Sequence, residues 1–262
     1  MDLGLKGKNV LVLASSKGLG KACALEFARE GANVMLTSRD EEQLSLTAEE
    51  IKWETGAVVT YKKCDITQRN EIDELVATAV EEFGSVDVLV NNAGGPPAGT
   101  FNDFEDEHWQ GAFELTLLSL VRSVRAVTPN MIKNGGGRIV NIASSSFKQP
   151  IDGLILSNTF RTAINGLSKS LSQELGKDGI LINTIGPGRI GTDRVGELDQ
   201  MMAEKKGVSA DEVRTTMESG IPLGRYGEPA EFAKMVVFLC SDANTYITGQ
   251  SLLIDGGMVK AL

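Results

Sequence analysis

The residue types that could do chemistry begin at a turn of small residues, Ala14-Ser15-Ser16-Lys17-Gly18-Leu19-Gly20. Ahead of it lies a continuous apolar run, Val10 to Leu13, the pattern of a strand buried on both faces. Behind it Ala22, Leu25, Phe27 and Ala28 recur at helical spacing and predict a helix from about Gly18 to Arg29. A strand feeding a helix through such a turn puts unpaired helix N–H groups and the positive end of the helix dipole at the turn. That is a binding place for an anion such as a phosphate. Gly18 and Gly20 let the backbone come close to it. Two glycines in a strand-to-helix turn serve packing as readily as binding, so the signal depends on what lies elsewhere in the chain.

The elements that must position this turn follow from the rest of the pattern. Ala32 to Ser38 reads as a second buried strand, with Arg39 after it and a polar helix from about Asp40 to Glu54. Val58 to Tyr61 predicts a third strand leading to Cys64-Asp65-Ile66, and Asn70 to Phe83 an amphipathic helix. Val86 to Val90 predicts a strand that stops at Asn91-Asn92-Ala93-Gly94. A long helix is expected over Glu107 to Lys133, ended or kinked near its last turn by Pro129. Strand Arg138 to Ala143 runs into Ser144-Ser145-Ser146, and a helix spans Ile155 to Gly176. Strand Ile180 to Ile185 ends at Gly186-Pro187-Gly188. Residues 189–222 are polar, with helical patches at Glu197 to Lys206 and Ala210 to Ser219, and read as an insertion over a site. A last helix, Glu228 to Cys240, and a short strand, Ser251 to Ile254, complete the chain.

Strands alternating with helices at short spacing imply a parallel sheet covered on both faces, with right-handed crossovers. Ligands of such sheets bind beyond the carboxyl ends of the strands. The 14–20 turn, Arg39, Asp65, Asn91 to Gly94, Ser144 and Pro187-Gly188 all fall at those ends. One site and one domain over residues 1–262 is the economical reading.

Composition narrows the function class. The 262 residues are 42% hydrophobic and 23% charged, an ordinary globular balance. The net charge of −9 disfavours nucleic-acid backbone binding. No apolar run reaches membrane-spanning length, and the N-terminus has no signal-peptide pattern, which points to the cytoplasm. Cys23, Cys64 and Cys240 have no metal-ligand spacing and read as small core residues. No metal site is expected.

Taken together, Asn91-Asn92-Ala93-Gly94, the run Pro187-Gly188-x-Ile190-x-Thr192 and the tail Gly249 to Gly257, ending Asp255-Gly256-Gly257, resemble the short-chain dehydrogenase/reductase family. The resemblance is to its 3-oxoacyl-[acyl-carrier-protein] reductase-like members and covers almost the whole chain. It implies a Rossmann-type doubly wound α/β fold of about seven parallel strands. It implies hydride transfer between a nicotinamide dinucleotide and a small or acyl-linked carbonyl or alcohol. It also implies a homotetramer, or a dimer, built through the two long central helices and the last strand. Apolar Leu115, Leu117, Leu118, Leu120, Val121 and Val124 nearly surround the first of these helices, as an interface requires. The cofactor-binding positions carried over are Ala14 to Gly20, Ser38, Arg39, Asp65 (toward adenine), Ile66, Asn92 to Gly94 (beneath the adenosine ribose), Pro187, Gly188, Ile190 and Thr192.

The chain departs from the family pattern where the chemistry belongs. The family's glycine turn reads Thr-Gly-x-x-x-Gly-x-Gly; here Leu13 and Ala14 stand at its first two positions, with Ser15 and Ser16 hydroxyls as substitute donors. Of the catalytic set, Ser144 is retained. Ser157 occupies the Tyr position, Arg161 the Lys position and Thr116 the helix Asn position. Ser157 is a weaker acid than a phenol, and Arg161 can donate hydrogen bonds but not give up a proton. The family's Asp for the ribose hydroxyls is Ser38 here, and Arg39 with Lys17 flanks the place of a 2′-phosphate. NADP(H) is therefore expected over NAD(H). Two readings result: an oxidoreductase with an altered proton path, or a non-catalytic nucleotide-binding sensor or scaffold.

Without the family frame the same residues read more plainly. Ser157 and Arg161, one helical turn apart, are a solvated face. Ser144 is a turn residue, His108 a capping or packing group beside Trp109, and Lys148 a solvated loop side chain.

Overall fold

The computed structural model describes residues 2–261. Seven parallel strands form one sheet in the order β3-β2-β1-β4-β5-β6-β7. They are β1 (Asn9–Val12), β2 (Asn33–Ser38), β3 (Val59–Lys63), β4 (Val88–Asn91), β5 (Gly137–Ile142), β6 (Ile180–Pro187) and β7 (Ser251–Ile254). The order reverses between β1 and β4, the topological switch point at which doubly wound sheets open a ligand crevice. The helices are α1 (Gly18–Arg29), α2 (Glu41–Thr55), α3 (Arg69–Phe83), α4 (Asp106–Phe113), α5 (Ser119–Lys133), α6 (Ile155–Leu175), α7 (Asp193–Lys206), α8 (Ala210–Ser219) and α9 (Pro229–Leu239).

The apolar run that begins the chain shows why both faces are covered. Val10 and Val12 point into one core with Phe27, Leu44 and Phe232, whereas Leu11 and Leu13 point into the other with Leu75, Val127 and Ile164. Successive side chains of a strand alternate in direction, so an unbroken apolar strand requires a hydrophobic layer on each side. α1, α2 and α9 close the first layer, and α3, α5 and α6 the second.

A buried ladder of polar side chains crosses the second layer just below the strand ends. The Ser123 hydroxyl donates to Asn91 Oδ1 (2.5 Å), Asn91 Nδ2 donates to Asn141 Oδ1 (2.8 Å), and Asn141 Nδ2 donates to Ser168 Oγ (2.8 Å). Thr184 Oγ1 also donates to Ser168 Oγ (2.9 Å). Buried polar groups so paired cost little and fix a register. Here they hold α5, β4, β5, α6 and β6 in one alignment.

Some elements differ from the sequence expectation. β3 begins at Val59 and runs to Lys63, because it is an edge strand paired only to β2 and alternates buried with exposed residues; Val58, outside it, is exposed. The helix expected over 107–133 is two helices joined by a π-helical turn, Glu114–Leu118. The second of them, α5, ends at Lys133 as expected and carries Pro129 in its last turn on the exposed face, where water can satisfy the carbonyl its missing N–H leaves free. α7 starts at Asp193, ahead of the periodic patch, and Gly196 inside it is what masked the helical pattern. Among the described residues no helix is long and apolar enough to cross a membrane, and no cluster of His, Cys, Asp and Glu is placed to hold a metal ion.

Candidate active site

The turn between β1 and α1 stands at the carboxyl end of β1, beside the β1/β4 switch point where doubly wound sheets open a ligand crevice. Ala14 adopts φ of 47°, the one positive φ of a non-glycine residue among those described. At that angle a β-carbon crowds the following carbonyl, at about 1–2 kcal/mol. The turn therefore keeps the shape a glycine would give it and carries a methyl under strain. Ala14→Gly is expected to stabilise the protein by about 0.5 kcal/mol, because relief of this strain exceeds the entropy that glycine adds to the unfolded chain. Denaturant unfolding checks the sign; at an ordinary φ the same change would destabilise.

The first of the serines that follow does not act as expected. Ser15 is fully buried: its hydroxyl donates to Val12 O (2.8 Å) and accepts from Thr37 N–H (2.9 Å), tying β1 to β2. It is not available as a substitute phosphate donor. Ser16 is buried too, and its carbonyl accepts from Thr47 Oγ1 (2.8 Å). Lys17 occupies the cap position of α1 without a side-chain capping bond, and no acidic residue stands in the first turn. Gly18, at φ 59°, has open space on its Cβ side except for Thr192 Cγ2 at 3.9 Å. Lys17 and Arg39 are both exposed, and neither makes an ion pair among the described residues. Uncapped N–H groups, a clear approach and two free cations suit a phosphate-bearing ligand.

The neighbouring strand ends close around this turn. Asn92 Nδ2 donates to Ala14 O (3.1 Å), so the residues after β4 lie directly against it, and Gly94 is exposed with open space around it. Ser38 Oγ accepts from Asp40 N–H (3.1 Å) and shapes the corner that leaves Arg39 outside. Asp65 Oδ1 accepts from both Thr67 N–H (2.9 Å) and Thr67 Oγ1 (2.8 Å). Ile66 and Ile190 are core residues, so only their backbones can face the crevice. Gly188 is required where it stands, since a Cβ there would lie 2.6 Å from Asp255 Cβ. Thr192 reaches back over Gly18.

The four positions that the family resemblance assigns to catalysis are not joined by hydrogen bonds among the described residues. Thr116 lies in the π-helical turn, 2% exposed, and its Oγ1 has no partner there. Ser144 caps a 3₁₀ turn (Ser145–Phe147), its Oγ accepting from Ser146 N–H (3.1 Å); this is the turn role, with the hydroxyl proton still free to donate. Ser157 is half-buried. Arg161 overturns the expectation of a solvated face. It is 6% exposed, with Nη1 donating to Ile142 O (2.8 Å) and Nη2 to Ala93 O (3.2 Å). Burial pulls its pKa down to about 10. It grips the ends of β4 and β5 instead of pointing into solution. The i, i+4 pattern could not reveal this, because burial of that helix face is decided by the strands packed on it.

The other expectations are met or refined. His108 Nδ1 accepts from Glu105 N–H (3.2 Å), and its ring lies 5.4 Å from that of Phe104: a cap and a packing group. Lys148 is exposed. All three cysteines are buried, and burial raises each thiol pKa, Cys64 to about 12, so none is a nucleophile.

Two features had no sequence signal. A cluster joins α7 and α8: Asp199, 5% exposed, accepts from Arg189 and from Tyr226 Oη (2.9 Å), while the exposed Arg214 lies 5.0 Å over the Tyr226 ring. Burial and the bond to Asp199 raise the Tyr226 pKa to about 12, so the phenol stays a donor here. Arg194, at the start of α7, reaches Pro96 O (3.2 Å) on the opposite side of the crevice.

Comparison with known proteins agrees with this geometry. A family model described as Enoyl-(Acyl carrier protein) reductase matches residues 13–259. The 3-oxoacyl-[acyl-carrier-protein] reductase FabG of Thermotoga maritima is 34% identical over 255 residues, 97% of this chain and 99% of that protein. A putative ketoacyl reductase of Streptomyces coelicolor is 34% identical over 250 residues, 95% of each chain. The structure of L-sorbose reductase from Gluconobacter frateurii, complexed with NADPH and L-sorbose, superposes with a TM-score of 0.95 at 34% identity over 100% of both chains. A seven-stranded doubly wound sheet, the strand-end motifs in order and full-length similarity of this degree place the chain in the short-chain dehydrogenase/reductase family of oxidoreductases.

Proposed function

We propose that the protein is an NADP(H)-dependent oxidoreductase acting on a carbonyl or alcohol, with a proton path that differs from that of its relatives. The observation that carries the cofactor part is the uncapped, carboxylate-free N-terminus of α1 beside open Gly18, flanked by exposed Lys17 and Arg39. These residues fit a dinucleotide. The turn and first helical N–H groups would hold its pyrophosphate, Lys17 and Arg39 a 2′-phosphate, and Asn92 to Gly94 the adenosine ribose. When bound, the nicotinamide supplies or accepts the hydride.

The chain's own residues act on the carbonyl oxygen. Ser144 Oγ already accepts from Ser146 N–H, so its proton is free to be donated to that oxygen. Arg161 places a cation under the same strand ends, which favours negative charge developing on the oxygen. Ser157 is half-buried but a poor acid, so the final proton comes from water or from an acidic group of the substrate itself. The substrate class is a small or acyl-linked carbonyl, as the L-sorbose and ketoacyl reductases suggest. Of the apolar residues expected at an interface, Leu120 and Val124 are buried in the core and Leu115 and Leu117 pack on it, so the half-exposed Leu118 of the π-helical turn and Val121 of α5 are what support assembly as a tetramer or dimer.

A second reading, a nucleotide-binding protein without turnover, is favoured by one observation. Arg161 spends two guanidinium nitrogens on the backbone carbonyls of Ile142 and Ala93, which ties it to the scaffold at the ends of β4 and β5. Titration separates the readings in stages. NADPH is expected to bind with NADH at least about tenfold weaker, as loss of one charge-assisted contact implies. Arg39→Ala is expected to remove most of that difference. A carbonyl panel then tests turnover, with Ser144→Ala as the control. Binding without any reduction supports the second reading, and no binding of either dinucleotide rejects both.

A further inference from the structure

Arg194 is on the first turn of α7, on the β6 side of the crevice. Its guanidinium crosses to the β4 side, donating through Nη2 to Pro96 O (3.2 Å). The seat it enters is made by Gly95: a Cβ there would lie 3.3 Å from Nη2 and 3.4 Å from Nε. Two residues before Arg194, Thr192 lies over Gly18 at the phosphate turn. The middle of α7 is fixed independently by the Arg189–Asp199–Tyr226 cluster. Arg194 also pairs with Glu197 (3.3 Å), but both groups are largely exposed and such a pair contributes little. The loop after β4 is thus held at two carbonyls by two arginines, Arg161 on Ala93 from beneath and Arg194 on Pro96 from across the opening.

We infer that Arg194 is a positioning residue: by bridging to Pro96 over Gly95 it holds segment 190–194 across the mouth of the crevice, and a ligand in the phosphate turn leaves only when that bridge opens. The bridge is one hydrogen bond from a charged donor to a neutral carbonyl at a partly exposed site, which is weak enough to break on each cycle. Its partner side has no Cβ at Gly95, so the contact depends on both walls.

The test needs variants from both walls. Arg194→Ala removes the donor, and Gly95→Val fills its seat from the other side. In the ligand-free protein, hydrogen exchange at the backbone of residues 193–198 is expected to rise about tenfold in each, with the double variant no faster than either. Arg194→Lys, which keeps one donor, is expected to recover part of the protection, and Glu197→Gln to change nothing. This arm does not depend on the proposed function. A second arm does: NADPH release, followed by stopped-flow fluorescence, is expected to be about tenfold faster in Arg194→Ala and Gly95→Val with little change in association rate. Unchanged or additive exchange overturns the bridge. Altered exchange with an unaltered release rate overturns its control of release. If NADPH does not bind, the dinucleotide reading fails by itself and exchange alone decides the positioning role.

Discussion

The double variant Ser157→Tyr/Arg161→Lys is expected to raise NADPH-dependent carbonyl reduction by about 10²- to 10⁴-fold, the usual contribution of a positioned general acid. Ser157 precedes Arg161 by one helical turn, so both face the ends of β4 and β5 where Arg161 is anchored. A phenol there is acidic enough, at a pKa of about 10, to protonate an alkoxide, and a neighbouring ammonium lowers that value further. Either change alone is expected to give much less, because a phenol without a mobile cation keeps its ordinary acidity and a cation without a phenol has no proton to tune. Initial rates at saturating NADPH over a ketone panel measure the gain. A double variant that binds NADPH as tightly as the parent yet shows no increase would mean that the crevice does not admit a carbonyl, and the oxidoreductase reading would be abandoned for the binding one.

The second large effect is expected at Gly20. A Cβ there would lie 2.3 Å from Ala14 O, 2.8 Å from Ser15 Cα and 2.9 Å from Asn92 Nδ2. Two of these atoms are backbone of the turn itself, held by the Ser15 bonds to β1 and β2, so they cannot yield as a side-chain tip would. α1 must move away from the strand end instead. Gly20→Ala is therefore expected to destabilise the fold by about 3 kcal/mol, the upper part of the range for an overpacked core, and to weaken NADPH binding by about 100-fold or more. Denaturant unfolding and the NADPH titration measure the two parts separately. Ala14→Gly, in the same turn, is expected to act with the opposite sign on stability, because there the β-carbon is the strained atom.

The Arg161 position also shows what a change of residue type does to the contacts of a side chain. The family's amine at this position is replaced by a planar guanidinium, whose fork spans two backbone carbonyls at once. Burial without a carboxylate partner lowers its pKa to about 10, which does not free a proton at neutral pH. The charge is retained and fixed in position by the two carbonyls.

Much of this was legible in the one-dimensional pattern. The unbroken apolar strands, the glycine turn and the order of the strand-end motifs determined the doubly wound sheet, because alternation of side chains and short crossovers leave few other topologies. The replacements at Ala14, Ser157 and Arg161 were visible as residue types. Their consequences were not. That Ala14 sits at positive φ, that Ser15 is consumed by β2, and that Arg161 is buried against Ala93 and Ile142 depend on partners far away in sequence. The Arg194 bridge to Pro96 and the Asp199 cluster join segments that no local pattern couples. Periodicity reports which face of an element is apolar; only packing of one element on another decides which polar groups lose water and must find a partner.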